Sequence, residues 1–217
     1  MLHTLKVDGV ILNFGERRIL QNVYLKSQTG NITGLLGRNG TGKSCLMNII
    51  YGELTPNSMS VRINDNSLNT NYRNPKDIRY LPQFSFIPKS FKISKVLVDY
   101  DLDFTDFISC FPDFTGKYNT RISSLSGGHR RIVEIYTLLA SKTKFCMLDE
   151  PFSQVMPIHL NTIKDLIVRE KQNKGIIITD HLYKHIIDIC DDLYVISNGQ
   201  TYLTKDLTDL KKYGYIA

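Results

Sequence analysis

Residues Gly37 to Ser44 read Gly-Arg-Asn-Gly-Thr-Gly-Lys-Ser and satisfy GxxxxGK[ST] at every fixed position. The glycines let backbone N–H groups turn inward around phosphates without Cβ clashes. A helix opening at the end of such a loop aims its positive terminus at the same charge. Lys43 then reaches the β- and γ-phosphates, and the Ser44 hydroxyl binds Mg²⁺. The segment Gly37, Arg38, Asn39, Gly40, Thr41, Gly42, Lys43 and Ser44 therefore predicts a cradle for a nucleoside triphosphate. By itself it leaves kinases, GTPases and ATPases open.

Three further constellations narrow the chemistry. Phe145-Cys146-Met147-Leu148 is an apolar strand that ends on Asp149-Glu150. A buried strand delivering Asp149 beside a phosphate loop supplies a second Mg²⁺ contact, and Glu150 is placed to polarise an attacking water as general base. Leu125-Ser126-Gly127-Gly128-His129 lies about 20 residues before that strand and opens a helix, which suits either a second anion site or an ordinary cap. Ile176-Ile177-Ile178-Thr179-Asp180-His181 ends another buried strand on a histidine that could contact the γ-phosphate and steady Glu150.

The elements that must position these residues follow from patterning. Leu5–Phe14, Ile19–Lys26 and Ile32–Leu36 read as strands, the third running into the glycine loop. Ser44–Tyr51 reads as a helix stopped by Gly52. Residues 53–80 are polar and turn-rich, with one short strand near Met59–Ile63. Beyond lie helices at about Gly128–Ser141 and Pro157–Gln172, and strands at Phe145–Leu148, Gly175–Thr179 and Leu193–Ser197, with another helix before the last strand. Alternating strand and helix predicts an α/β core with a largely parallel sheet. Between Phe84 and Phe114 fall eight of the 22 aromatic residues, enough to give that stretch its own small core.

The ordered set closely resembles the nucleotide-binding subunits of ATP-binding cassette (ABC) transporters. Gly37–Ser44 resembles their Walker A loop, Gln83 in Tyr80-Leu81-Pro82-Gln83 the Q-loop glutamine, and Leu125–His129 the LSGGQ signature. Leu148-Asp149-Glu150-Pro151 resembles the end of Walker B, and His181 the switch histidine. Phe14 stands where the family has an aromatic that stacks on adenine. Glu150-Pro151-Phe152, Thr179-Asp180-His181 and the stretch from Cys190-Asp191 are most similar to the lipopolysaccharide-export and branched-chain amino-acid types.

The resemblance implies a single P-loop NTPase domain of ABC type over 1–217. It has a mostly parallel core with an antiparallel β subdomain (about 1–83 and 123–217) and a small α-helical subdomain (about 84–122). It implies ATP and Mg²⁺ as cofactors, with Mg²⁺ on Ser44, Gln83 and Asp149, and Glu150, His181 and Lys43 as catalytic groups. Ser126, Gly127, Gly128 and His129 would bind the ATP of a second copy, in a homodimer or heterodimer. The partner driven by hydrolysis would be a membrane permease docked at about Phe84–Phe114, whose phenylalanines either line a groove for its helix or fill a core. Two departures stand out. His129 replaces the signature glutamine, and Met156 occupies the aspartate position that closes the family's D-loop. A soluble ATPase of the same superfamily acting in repair or translation, and an ATP-binding regulatory module with weak turnover, are the competing functions.

Bulk properties agree. Hydrophobic residues make up 42% and charged residues 22% of the 217, the balance of a folded domain. No apolar run approaches the roughly 20 residues of a membrane helix and no signal peptide is evident. The expected place is the cytoplasm, at the membrane's inner face through the permease, with no regulatory domain appended. Cys45, Cys110, Cys146 and Cys190 form no CxxC pair, so reduced, buried thiols are expected. The net charge is +6, but the doublets Arg17-Arg18, Arg130-Arg131 and Lys211-Lys212 are scattered and read as solvated surface rather than a nucleic-acid footprint.

Overall fold

The computed structural model describes residues 1–68, 73–204 and 206–216. Strands β1 (Thr4–Phe14) and β2 (Arg17–Gln28) form the long hairpin that alternation predicted. The apolar step in β1 changes from two to three residues between Val7 and Val10. A bulge absorbs the change, so Leu5, Val7, Val10 and Leu12 all stay inside. With β4 (Ser58–Ile63) and β5 (Asn66–Ser67) this hairpin makes an antiparallel sheet of order β2-β1-β4-β5.

The second sheet carries the chemistry. It is built from β3 (Ile32–Gly37), β6 (Ile78–Leu81), β7 (Phe145–Asp149), β8 (Gly175–Thr179), β9 (Asp192–Ser197) and β10 (Gln200–Thr204), in the order β10-β9-β3-β8-β7-β6. All pairings are parallel except β9 with β10. Strands β3, β7 and β8 are buried along their whole length, which is why they read as unbroken apolar runs. In β7, Cys146 and Leu148 face one core while Phe145 and Met147 face the other. The first core is closed by α2 (Ile93–Asp99), α3 (Phe104–Cys110), α4 (Gly127–Ala140), α5 (Pro157–Glu170) and α6 (Tyr183–Ile187), the second by α1 (Lys43–Tyr51) and the antiparallel sheet. Every functional strand thus ends at one edge of the sheet, between two packed layers.

Strand β6 falls at the end of the polar stretch in which patterning marks only the strand near Met59–Ile63, and at four residues it is too short to show a period. The last strand expected was β9; β10 and α7 (Leu207–Lys212) follow it. Asn198-Gly199, both at positive φ, is the hairpin turn that announces β10. All four cysteines are free, but only Cys146 is buried. Arg131 is also buried, which corrects the reading of the Arg130-Arg131 doublet as solvated surface.

The aromatics between Phe84 and Phe114 divide. Phe107, Phe111 and Phe114 are sealed inside, while Phe84 is 69% exposed. Phe107 meets Phe114 and Tyr136 of α4 at centroid distances of 4.7 and 4.8 Å. This cluster is what fastens α3 to α4. Phe107→Ala is expected to lower stability by about 3–5 kcal/mol in urea unfolding, and a loss below about 1 kcal/mol would show that α3 docks by other means.

Candidate functional site

The phosphate loop joins the buried end of β3 to α1. Gly42 sits at the N-cap of α1 with φ 99°, and a Cβ there would meet Leu20 Cδ2 at 2.8 Å. Both the backbone conformation and the close approach of β2 therefore require glycine. Lys43 is buried, and its ammonium donates to the carbonyls of Gly37 (2.7 Å) and Arg38 (3.2 Å). Burial lowers its pKa, opposed by the charges of Glu150 and Asp149. The loop holds its lysine in place with its own carbonyls.

At the end of β7, Asp149 is buried and accepts hydrogen bonds from Tyr80 Oη (3.2 Å) and Gln83 Nε2 (3.4 Å). Register explains the meeting: Leu81 of β6 pairs with Leu148 of β7, so Gln83 emerges beside Asp149. Gln83 Nε2 also lies 3.1 Å from Ser44 Oγ and 3.0 Å from Glu150 Oε1. One amide thus gathers the loop serine and both carboxylates.

Glu150 adopts φ 53°, a left-handed conformation for a non-glycine residue. Its carboxylate is 2.5 Å from His181 Nε2 and within 3.4 Å of Ser153 Oγ. The backbone supports the strain, because Glu150 N donates to Thr179 O at 2.8 Å. Asp180, buried next to the histidine, accepts from Phe152 N and Leu182 N at 2.9 Å each. The segments after β7 and β8 are therefore tied together around the Glu150–His181 pair.

Phe14, Arg17, Ile19, Asn39, Gly40, Gly42, Lys43, Ser44, Cys45, Gln83, Glu150 and His181 line one cleft of about 400 Å³, within the size range of small-ligand sites. Phe14 stands at its rim, 53% exposed. Arg38 and Thr41 face a neighbouring hollow with Ser197 and Tyr213, Gly37 lies buried below the loop, and Asp149 sits behind the cleft. Ser126, Gly127, Gly128 and His129 do not line it. They form the start of α4, with Ser126 and Gly127 exposed and Gly128 and His129 half-buried, and Ser126 Oγ accepts from His129 N as an N-cap.

Sequence reasoning missed the group that joins these parts. Arg131 on α4 donates to Pro82 O (2.8 Å), Asp149 O (2.9 Å) and Glu150 O (3.2 Å), with Glu134 at 3.4 Å. Its position five residues after Ser126, on the apolar face of α4, was the available signal. Met156 caps α5 without any side-chain hydrogen bond and is 45% exposed, so it supplies no acceptor where the family has an aspartate.

The match that decides the family covers residues 20–153, which fit the ABC transporter model. This chain is a member of the ABC transporter family. It is 31% identical to the lipopolysaccharide export system ATP-binding protein LptB of Escherichia coli K12, over 90% of this chain and 88% of that protein. A probable branched-chain amino acid transport ATP-binding protein, LivF of Archaeoglobus fulgidus, is 28% identical over 98% and 95%. These are the two types singled out by the motifs. A nucleotide-free ATP-binding cassette from an ABC transporter superimposes with a TM-score of 0.79 at 22% identity, covering 97% of this chain and 94% of that one. This ABC subunit accordingly binds nucleotide, hydrolyses ATP and powers a membrane transporter. Among its described residues no helix is long and apolar enough to cross a membrane.

Burial raises the pKa of Asp149 above the ordinary aspartate range, although hydrogen bonds from Ser44, Gln83 and Tyr80 oppose the shift. The folded state therefore takes up this proton more readily than the unfolded chain. Its stability falls as pH rises from the ordinary aspartate range through the raised value. Asp149→Asn is expected to raise the Tm of the nucleotide-free protein at neutral pH, where the buried carboxylate is charged. The gain should vanish as the pH approaches the ordinary aspartate range; an equal gain at all pH values would rule out the buried charge as its source.

Proposed function

We propose that ATP lies in the Phe14–Lys43–Gln83 cleft of one copy and is completed by Ser126, Gly127, Gly128 and His129 of a second copy. The observation that carries this reading is the division of the motifs. The cleft collects the loop, Gln83, Glu150 and His181, while the start of α4 stands outside it, with Ser126 and Gly127 exposed. Helix N-termini favour phosphate, and this one faces no phosphate site of its own chain.

Within the cleft Phe14 stacks on the base, and the loop amides with Lys43 orient the phosphates. Ser44, Gln83 and Asp149 suit Mg²⁺. They bring a hydroxyl, an amide and a carboxylate to one point, the oxygen donors a hard cation prefers, once the Gln83 amide turns its oxygen inward. The ion supplies charge neutralisation on the phosphates when bound. Glu150 accepts the proton of the attacking water, and His181 and Gln83 hold its carboxylate in line.

The helical region 84–122 receives the permease. Three of its phenylalanines are committed to the core, so contact falls to exposed groups around Phe84, against a helix of the permease seated in a groove. Gln83 and Phe84 are neighbours in sequence, so a shift of the docked helix reaches Glu150 through one residue.

Glu150→Gln should reduce ATP turnover about 10²–10⁴-fold, as expected for loss of a general base, while ATP still binds. The variant should then accumulate as an ATP-dependent dimer on gel filtration. Turnover near the wild-type rate would assign the proton transfer to another group.

A further inference from the structure

A second group of metal-competent side chains lies away from the nucleotide cleft. Asp113 is in the 3-10 turn Pro112–Phe114, His129 in the first turn of α4, and His159 in the first turn of α5. Each offers one ligand atom, and the three atoms lie within 4.8 Å of one another. His159 Nε2 is 3.3 Å from Asp113 Oδ2. That is about the edge of a tetrahedron whose metal–ligand bonds are roughly 2.0–2.1 Å.

The second observation is His159 itself. Its side chain is only 9% exposed, and Nε2, the atom aimed at the cluster, makes no hydrogen bond. A buried polar atom without a hydrogen bond calls for an explanation. Both rings are fixed by apolar packing, His129 edge-on to Phe114 at 5.2 Å and His159 edge-on to Phe111 at 6.1 Å.

We propose that Asp113, His129 and His159 form a binding site for a divalent transition metal, with Zn²⁺ the best-fitting ion. Two imidazoles and one carboxylate are Zn²⁺ ligands, and the fourth tetrahedral position is open to water. Mg²⁺ prefers an all-oxygen set and is excluded by the same donors. The three ligands come from three elements. A bound ion therefore cross-links the turn after α3, the start of α4 and the start of α5 just beyond Met156. Gly128 already lies close to this seam, where a Cβ would meet Gln154 O at 3.0 Å. None of the three residues lines the nucleotide cleft of its own chain, but His129 is also one of the four residues proposed to complete the ATP of a second copy, so the two sites meet at that residue.

Calorimetric titration of the metal-free, untagged full chain with Zn²⁺ tests the site. Wild type should bind one Zn²⁺ per chain at this cluster and gain in Tm, because the ion binds the folded state. Asp113→Asn and His159→Gln should each weaken that binding by about tenfold or more, since groups that merely support a ligand are worth about 10–100-fold. Asp113 is exposed, so its variant gives a reading even where His159→Gln disturbs buried packing. Absence of Zn²⁺ binding in wild type, or undiminished binding in a folded Asp113→Asn, overturns the proposal; the latter would place the ion elsewhere, such as at His181 and Glu150.

Discussion

The arrangement of the phosphate loop, Gln83 and the two carboxylates depends on one guanidinium sealed inside the protein. Arg131 leaves the middle of α4 and donates to the backbone carbonyls of Pro82, Asp149 and Glu150. A buried charge is costly unless its partners are fixed. Here three carbonyls and Glu134 supply them, and Ser85 in turn donates to Glu134. The result is a rigid joint between the segment after β6, the end of β7 and the helix that carries the signature. Arg131 thereby ties α4 to the backbone of Glu150, and in the proposed shared site this joins the signature end of one chain to its own carboxylates.

A second joint lies on the other side of Glu150. Asp180 binds the backbone amides of Phe152 and Leu182, and His181 meets the Glu150 carboxylate. Between the two joints the chain adopts positive φ at Glu150 and at Gln154. Such residues cost of order 1–3 kcal/mol each and persist where the surroundings over-determine them. The strain therefore sits between β7 and α5, in the segment that would face a second copy. Met156 closes that segment without a side-chain cap, and Gly128 packs close enough to it that a Cβ would meet Gln154 O at 3.0 Å.

Much of this was legible in the sequence because it is local. The Gly37–Ser44 loop, the β7 run ending on Asp149-Glu150, and His181 after β8 each announce themselves within a few residues. Their meeting in one cleft follows from parallel strands that end at a common edge. What the sequence concealed is non-local or short. Strand β6 is a strand only because β7 lies beside it. Arg131 sits in a basic doublet, and only tertiary packing shows that it faces inward while Arg130 keeps partial access to solvent. The phenylalanines of 84–114 have a composition that fits a core or a groove equally, and the contact with Tyr136 decides for the core at Phe107. The hairpin into β10 was readable from Asn198-Gly199 and was missed because the apolar pattern had ended.

The central claim is that one chain carries two unlike halves of two sites. Mixing two inactive variants tests it most directly, one with Lys43→Ala and the other with Ser126→Arg. A mixed dimer pairs the intact loop of one chain with the intact signature of the other. Turnover should return to about a quarter of the wild-type rate, because about half the dimers are mixed and each has one whole site. A mixture that stays as inactive as its components, or a Ser126→Arg chain that hydrolyses ATP at the wild-type rate, would contradict the shared site.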